Sequence, residues 1–534
     1  MPGILVRAWR GLERFAEGRW GVLSLFVLAL GMYALVSVAL PLAAGRDLAR
    51  YLLVYAQLFD EQVVYPHSLL TRTPIAPLVV GGLLAAGPVV AEIGAAVLYA
   101  ASVLAWCSVA ARFGTAAAVA TAAALLFYPG YLLLFHTLSS DSVFAAGFAF
   151  FAVLVTRALE LPSPARVAAL GAGVAALVLV RPVAQVLLLL VLLPLLAARS
   201  WRGRARATTA FALAAAVPLL AWSVHNQVRL DDFTVARGSG ATVPLFRAFV
   251  TDRIVMPENG PATRELARVV ARDLLPYEPY RSYGIDLERF FSSGSNRMLE
   301  DLTVLSDRVW GWDDDYRHLS RVGREAVLEH PGTYVRGVTR DVSRLLVWPL
   351  YPPTSASQDT DGSGPGAPAS GGAGDSLPVP SEGEPIPSAR EAPYLSTPDG
   401  RIREVWTSAT EHHIAFRDPS DRARAAALDR RVDELLGRLP DRDARPWLVR
   451  RLETASRWYP RPVIWLVVGL IAVIVRRPRR VAVPLVLSGA ALALLVSTAL
   501  AVYAVAQYSV PVTPAFILLA TAGLLGPRAS PSSA

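Results

Sequence analysis

The sequence predicts a mainly α-helical protein that crosses a membrane several times. Of its 534 residues, 53% are hydrophobic, and the mean hydropathy is +0.40. Several apolar runs reach the roughly 18 residues that identify a transmembrane helix. The acidic residues are unevenly placed, since 35 of the 43 lie between residues 227 and 457 and none follows residue 457. Membrane-spanning segments therefore flank one long hydrophilic region.

The apolar runs predict about ten transmembrane helices and one shorter element. The first run, at about residues 20–44, is longer than the core of a signal peptide and is interpreted as an uncleaved span. Segment 74–90 is short and interrupted by glycine and proline, so we expect it to re-enter the membrane or lie at its surface without crossing. The later spans are expected at residues 91–111, 115–137, 143–160, 166–180, 183–198, 205–225, 461–475, 481–503 and 508–526.

Arginine placement predicts the orientation of these spans. If segment 74–90 does not cross, nearly all the short arginine-rich loops lie on the side of the N-terminus, including RSWRGRAR at 199–206 and RRPRR at 476–480. Cytoplasmic loops of membrane proteins carry an excess of basic residues. Both termini are therefore expected in the cytoplasm.

Three modules follow from this topology. Residues 1–226 form an N-terminal transmembrane module whose first outer loop covers residues 45–77. Residues 227–457 form an extracytoplasmic region, and residues 458–534 form the C-terminal transmembrane helices.

The extracytoplasmic region is predicted to be rich in helix. Helical patterns lie near 262–275, at 317–346 and across 401–457, where the end of the last stretch is expected along the membrane interface. Segment 354–393 consists mostly of Gly, Pro, Ser and Ala. Because it cannot bury enough apolar surface to fold, we predict a disordered insert there.

Polar residues from distant parts of the chain fall together on the outer face. The first outer loop and the outer ends of later spans contribute Arg46, Asp47, Tyr51, Arg72, Asp141, Arg181, His225, Asn226, Gln507 and Tyr508. Convergence of this kind is what a site at the membrane surface requires.

The main candidates each have a functional and a structural interpretation. Asp47 could accept a proton from an acceptor hydroxyl, or could simply end a span. Asp141 could orient an acceptor or bind a metal, or could cap the following helix. Arg181 interrupts an apolar stretch at 167–198, and could turn a helical hairpin or bind an anion such as phosphate.

Several kinds of site are excluded. Cys107 is the single cysteine, so no disulfide, cysteine zinc site or thiol pair forms within the chain. No P-loop, GxSxG or HExxH is present. Despite the net charge of +9, most arginines lie beside spans, so no nucleic-acid partner is expected. The acidic turn at 312–316 could bind a divalent cation, although a turn that begins a helix is the simpler interpretation.

The order of the motifs resembles the GT-C superfamily of membrane glycosyltransferases, especially protein O-mannosyltransferases and aminoarabinose transferases. In that family an acidic residue, a spaced tyrosine and Arg-Pro-Pro-x-x-Pro occupy the first outer loop. Here Asp47, Tyr51 and RTPIAP at 72–77 have this layout. Further matches are SDSVF at 140–144, RP at 181–182, WSVHN at 222–226 and QYSVPVTP at 507–514.

The resemblance implies a GT-C helical fold, a polyprenyl-phosphate-linked sugar donor and Asp47 as catalytic base. It covers residues 1–240 well and 460–526 less closely. Asp141 is predicted as a second catalytic residue that supports the acceptor or a metal. Binding of the donor phosphate or substrate is expected at Arg46, Tyr51, Arg72, Arg181, His225, Asn226 and Tyr508.

Three positions depart from the family pattern. Leu48 follows Asp47 where a second acidic residue is usual, and His225 and Gln507 replace arginines. The last two changes remove cations that could hold a phosphate. Either Arg181, Arg229 or Arg237 takes over, or the donor differs, or activity is lost.

The predicted activity is transfer of a hexosyl or pentosyl group to an envelope glycan, lipid or protein at the outer face of a bacterial cytoplasmic membrane. No cofactor is firmly indicated, although a divalent cation is possible. Two alternatives stay open. A flippase for a lipid-linked sugar would place polar residues at the bilayer midplane, and a non-catalytic scaffold for envelope assembly would use region 227–457 to bind partners.

Overall fold

A computed structural model describes most of the chain. The described residues are 18–38, 40–45, 47–197, 200–238, 242–350, 388–390, 401–406, 412–440, 444–478 and 480–528. The candidate Arg46 and nearly all of the predicted insert 354–393 lie outside these residues. The described part of that insert, Ser388–Arg390, is a β-strand, and the disorder of the insert stays a prediction.

The N-terminal module is built from eleven α-helices within its described residues. They are α1 (Arg19–Ser37), α2 (Leu48–Gln57), α3 (Pro66–Leu70), α4 (Ile75–Ala85), α5 (Pro88–Ala110), α6 (Thr115–Leu126), α7 (Pro129–Phe135), α8 (Ser140–Glu160), α9 (Pro164–Val180), α10 (Leu193–Ala197) and α11 (Trp201–Leu230). Two short strands, β1 (Ala43–Ala44) and β2 (Thr137–Leu138), pair in parallel. A 3-10 helix, Pro182–Leu192, links α9 to α10.

The extracytoplasmic region is mostly helical and has its own apolar core. This region, residues 227–457, and the first outer loop, residues 45–77, are named for their predicted side of the membrane only. Its elements are α12 (Val243–Phe246), α13 (Pro261–Asp273), α14 (Leu287–Ser292), α15 (Asn296–Val309), α16 (Arg317–Glu329), α17 (Pro331–Val347), β3 (Ser388–Arg390), β4 (Ile402–Trp406), β5 (His412–Phe416), α18 (Pro419–Leu436) and α19 (Pro446–Trp458). Buried Phe249, Leu266, Phe290 and Leu319 belong to the core, which α12 to α16 enclose.

The predicted helix across 401–457 is wrong in its first part. Strands β3, β4 and β5 form an antiparallel sheet, and IREVW in β4 pairs with HHIAF in β5. β-Branched and aromatic residues favour this pairing. Helix replaces strand from Pro419 onwards. Helix α19 ends at Trp458 and the next helix begins at Pro462, and together they make up the candidate span Pro446–Arg476.

The C-terminal module completes the membrane bundle. It contains α20 (Pro462–Arg476), α21 (Ala482–Ala501), a 3-10 helix (Ala506–Tyr508) and α22 (Thr513–Leu525). Residues from Thr513 to Gly523 are all buried, so α22 lies inside the bundle. It packs against α20, while α5 packs on α1 and α8, and α9 packs on α8 and α11.

The bundle confirms a mainly α-helical, multi-pass membrane protein but does not confirm ten spans. In the described chain, six helical segments are long and apolar enough to cross a membrane, and α6 with α7 would make a seventh. The six are Arg19–Ser37, Pro88–Phe113, Ser140–Glu160, Trp201–Leu230, Pro446–Arg476 and Ala482–Ala501.

Proline accounts for the interruption of two predicted spans. The predicted span 115–137 is bent by 62° between α6 and α7, where Tyr128 is extended because Pro129 disfavours helix at the preceding residue. Residues 183–198 begin as a 3-10 helix after Pro182. Helix α4 in the predicted non-crossing element has 11 residues, a length of about 17 Å, whereas the hydrocarbon core measures about 30 Å.

Candidate active site

The pairing of β1 with β2 brings the first outer loop against the start of α8. The Gly45 N–H donates to the Leu138 carbonyl at 3.0 Å, and Ala43 pairs with Thr137. A Cβ at Gly45 would lie 2.6 Å from both Leu138 O and Ser139 Cβ. Only glycine allows this approach, so the pair places Asp47 close to Ser139, Ser140 and Asp141.

Asp47 stands immediately before α2 in a left-handed backbone conformation, with φ 60°. Aspartate and asparagine tolerate this conformation better than other non-glycine residues. Its carboxylate does not cap α2 and is 40% exposed. The contact it does make is with Arg72, whose Nη2 lies 3.9 Å from Asp47 Oδ2. The carboxylate is therefore accessible from outside the protein.

Arg72 and Tyr51 link Asp47 to α8. The Arg72 guanidinium carbon lies 5.7 Å from the Tyr51 ring centroid, and the Tyr51 hydroxyl donates to Ser140 Oγ at 2.9 Å. Arg72 Nε is buried and has no hydrogen-bond partner among the described residues. This nitrogen is a donor available to an anion.

Asp141 and Arg181 form a buried ion pair beside this group. The Arg181 Nη1 donates to Asp141 Oδ1, and the two side chains are 21% and 7% exposed. Arg181 also lies over the Tyr508 ring, 5.0 Å from its centroid, in a cation–π contact. The helix cap suggested for Asp141 belongs to Ser139, whose Oγ accepts from the Ser142 N–H at 3.5 Å. Asp141 is thereby left to hold Arg181.

The two carboxylates consequently occupy different environments. Asp141 is enclosed with a cation, and a buried charge needs such a partner. Asp47 is open and meets its arginine only at 3.9 Å. This contrast supports Asp47 over Asp141 as a group that exchanges a proton with a substrate.

His225 and Asn226, which the sequence placed in the same site, have other contacts. The His225 ring stacks on Trp222 with centroids 4.9 Å apart, and Asn226 Nδ2 donates to the Thr234 carbonyl at 2.8 Å. His225 Nε2 and Asn226 Oδ1 are buried without a hydrogen-bond partner among the described residues. Their described contacts do not include Asp47 or Asp141.

The two arginines considered as replacements for a lost cation are already engaged. Arg229 donates to the carbonyls of Leu58 and Asp60, beyond the C-terminal end of α2. Arg237 is buried among acidic and aromatic side chains of the extracytoplasmic region. Arg72 and Arg181 are therefore the cations that the structure places beside Asp47 and Asp141.

Two residues beside the site were not selected from the sequence. Ser140 receives the Tyr51 hydrogen bond, and its place in SSDS at 139–142 was the available signal. His67 in α3 is buried, and no local pattern distinguishes it. Burial, with the nearby charges of Arg237, Arg72 and Arg50, lowers the pKa of His67 to about 3, so this imidazole is neutral.

The described residues offer no assembled metal site. None of their His, Cys, Asp and Glu side chains form a group of three or more that could hold an ion. In the acidic turn at 312–316, Asp314 accepts a hydrogen bond from the His318 N–H at 3.0 Å, at the start of α16.

A scan against models of known protein families finds no match to this chain, and a search of curated proteins finds none either.

Proposed function

We propose that this chain is a membrane glycosyltransferase of GT-C type. It transfers a sugar from a polyprenyl-phosphate-linked donor to an envelope glycan, lipid or protein at the outer face of a bacterial cytoplasmic membrane. The proposal includes the ten-span topology with both termini in the cytoplasm. Its main support is the convergence of Asp47, Arg72, Asp141, Arg181 and Tyr508 from separate segments of the chain.

In the proposed reaction, Asp47 accepts the proton of the acceptor hydroxyl while the oxygen of that hydroxyl attacks the anomeric carbon of the donor sugar. The bond from that carbon to the phosphate oxygen breaks, and its electron pair leaves with the lipid phosphate. Arg72 stabilises the departing charge through its available Nε. Asp141 holds Arg181 at the edge of the site, so its contribution is to position a cation.

The testing experiment measures sugar transfer from a radiolabelled polyprenyl-phosphate-sugar pool to endogenous acceptor in membranes. Asp47→Asn removes the base and keeps a residue that tolerates positive φ. We expect transfer to fall by roughly 10²- to 10⁴-fold. Asp60→Asn is the matched control, because Asp60 lies in the same loop and pairs with Arg431 at 2.5 Å.

The outcomes separate the alternatives. Loss with Asp47→Asn and retention with Asp60→Asn support the proposal. Unchanged transfer in Asp47→Asn contradicts Asp47 as the base. Membranes with the wild-type protein are also compared with membranes that lack it. If the two transfer sugar at the same rate but translocate the labelled lipid at different rates, the chain is a flippase and the proposed activity is wrong.

A further inference from the structure

We propose that Arg237, Asp307 and Tyr316 of the extracytoplasmic region position the active-site loop through His67 and Leu70. The catalytic part of this inference rests on the proposed function. The positional part does not, because it concerns only how the loop that carries Arg72 is held.

Arg237 is the centre of a buried contact set, although its Nε has no hydrogen-bond partner among the described residues. Its side chain is 1% exposed, and its guanidinium donates to Asp232 at 2.7 Å, to Asp307 at 2.9 Å and to the Trp312 carbonyl at 2.7 Å. It also stacks over Trp312, 3.5 Å from the ring centroid. Together these contacts hold the Arg237 guanidinium in one position.

This contact set reaches directly into the first outer loop. The backbone N–H of Arg237 donates to the Leu70 carbonyl at 2.8 Å. The Tyr316 hydroxyl lies 3.3 Å from His67 Nδ1 and 3.2 Å from Asp307 Oδ2. With Tyr316 donating to Asp307, neutral His67 can donate to the Tyr316 oxygen. The short helix α3 is thereby attached near both ends, at His67 and at Leu70, and Leu70 lies two residues before Arg72.

Two ion pairs between this loop and the extracytoplasmic region are more exposed. Arg50 meets Glu300 at 3.4 Å with side chains 44% and 28% exposed, and Arg431 meets Asp60 with 46% and 33% exposed. Exposed ion pairs contribute little to stability, because solvent screens them and ordering the side chains costs entropy. The buried Arg237 set is thus better able than these ion pairs to fix Arg72 relative to Asp47.

The positional test uses the full-length protein in nanodiscs with a spin label. Cys107→Ser removes the single native thiol, and Thr71→Cys supplies a reporter beside Arg72. We expect Tyr316→Phe to increase label mobility and Asp307→Asn to increase it further, with Arg237→Lys intermediate. Tyr334→Phe is the matched control, because it deletes a hydrogen bond from the same region to the Leu500 carbonyl, far from α3 in the chain.

Label mobility that is equal in Tyr316→Phe, Asp307→Asn and the control overturns the proposal. A variant that fails to fold is identified by an altered circular dichroism spectrum, and the remaining variants then decide. If the wild-type protein transfers sugar, we expect Tyr316→Phe to lower kcat by roughly 10- to 100-fold with little change in KM. Increased mobility in a protein without transfer activity rejects the proposed function and leaves the positional inference standing.

Discussion

At the scale of single residues, His67 illustrates how charge placement constrains the loop. Its imidazole is enclosed between the extracytoplasmic region and an outer loop that carries Arg50 and Arg72. A proton there would add positive charge to an already cationic, desolvated place. The native state therefore excludes the proton down to about pH 3, whereas an unfolded chain accepts it near pH 6.5.

The first prediction concerns acid stability. Because only the unfolded state binds this proton between about pH 6.5 and 3, His67 stabilises the fold fully above pH 6.5 and loses that contribution as the pH falls. The loss amounts to about 1.4 kcal/mol per pH unit. Denaturant unfolding in detergent should show a shallower pH dependence for His67→Gln. His413→Gln is the control, because His413 is exposed. Equal slopes of unfolding free energy against pH for wild type and His67→Gln would contradict the prediction.

At the scale of elements, the outer loop depends on two glycines that permit close packing. Gly45 lets β1 approach β2, and Gly81 lets α4 approach α2, where a Cβ would lie 2.2 Å from the Tyr55 ring. The adjacent Gly82 has open space around it. Substituting each of these neighbouring glycines by alanine therefore distinguishes the effect of packing from the effect of helix propensity.

The second prediction compares these neighbours. Gly81→Ala should destabilise the protein by roughly 1–3 kcal/mol, because Tyr55 and α2 must move. Gly82→Ala should be neutral or stabilising by up to about 1 kcal/mol. Thermal unfolding in detergent measures both. Tyr55→Leu should restore part of the loss in Gly81→Ala, and a failure to do so would argue against a Tyr55 clash.

The third prediction concerns β1 and β2. Gly45→Ala should separate the strands, since its methyl group would overlap Leu138 O. The Gly45 N–H would then lose its carbonyl acceptor. Hydrogen–deuterium exchange of residues 43–45 should accelerate, and sugar transfer should fall. Gly31→Ala in α1, where nothing lies within 4 Å, should leave both unchanged.

At the scale of the whole molecule, Arg247 joins the extracytoplasmic region to the membrane bundle. It is fully buried and donates to Asp252 at 2.8 Å, to Asp341 at 2.9 Å and to the Ala499 carbonyl at the end of α21 at 2.5 Å. One side chain, immediately after the end of α12, thus connects α17 and α21. Removing it leaves two buried carboxylates without their principal cation.

The fourth prediction tests this junction. Arg247→Met should cost roughly 3–5 kcal/mol, the usual effect of breaking a buried ion pair. Arg340→Met removes a cation within 4.0 Å of the same two carboxylates, but Arg340 is 53% exposed and should matter by less than about 1 kcal/mol. Rates of tryptic cleavage within the extracytoplasmic region measure the difference. Similar rates in the two variants would contradict the prediction.

Much of the architecture was predictable because it depends on composition. Apolar runs predicted a multi-pass bundle, and the polar residues at their outer ends included Asp47, Asp141 and Arg181. The specific pairings were not predictable, because Asp141 meets Arg181, and Arg181 meets Tyr508, only after distant helices pack. The strands at 402–416 were missed because their hydrophobic pattern is short, and His67 because its burial depends on another region.

The contact between Arg181 and Tyr508 has a consequence for biogenesis. Arg181 leaves the ribosome long before Tyr508, with the whole extracytoplasmic region synthesised between them. The pairing of β1 with β2 can form during early insertion, but the contact of Arg181 with Tyr508 must wait for the last helices. A nascent chain would therefore hold a partly built centre through most of translation, and its maturation would be one of the final events of membrane insertion.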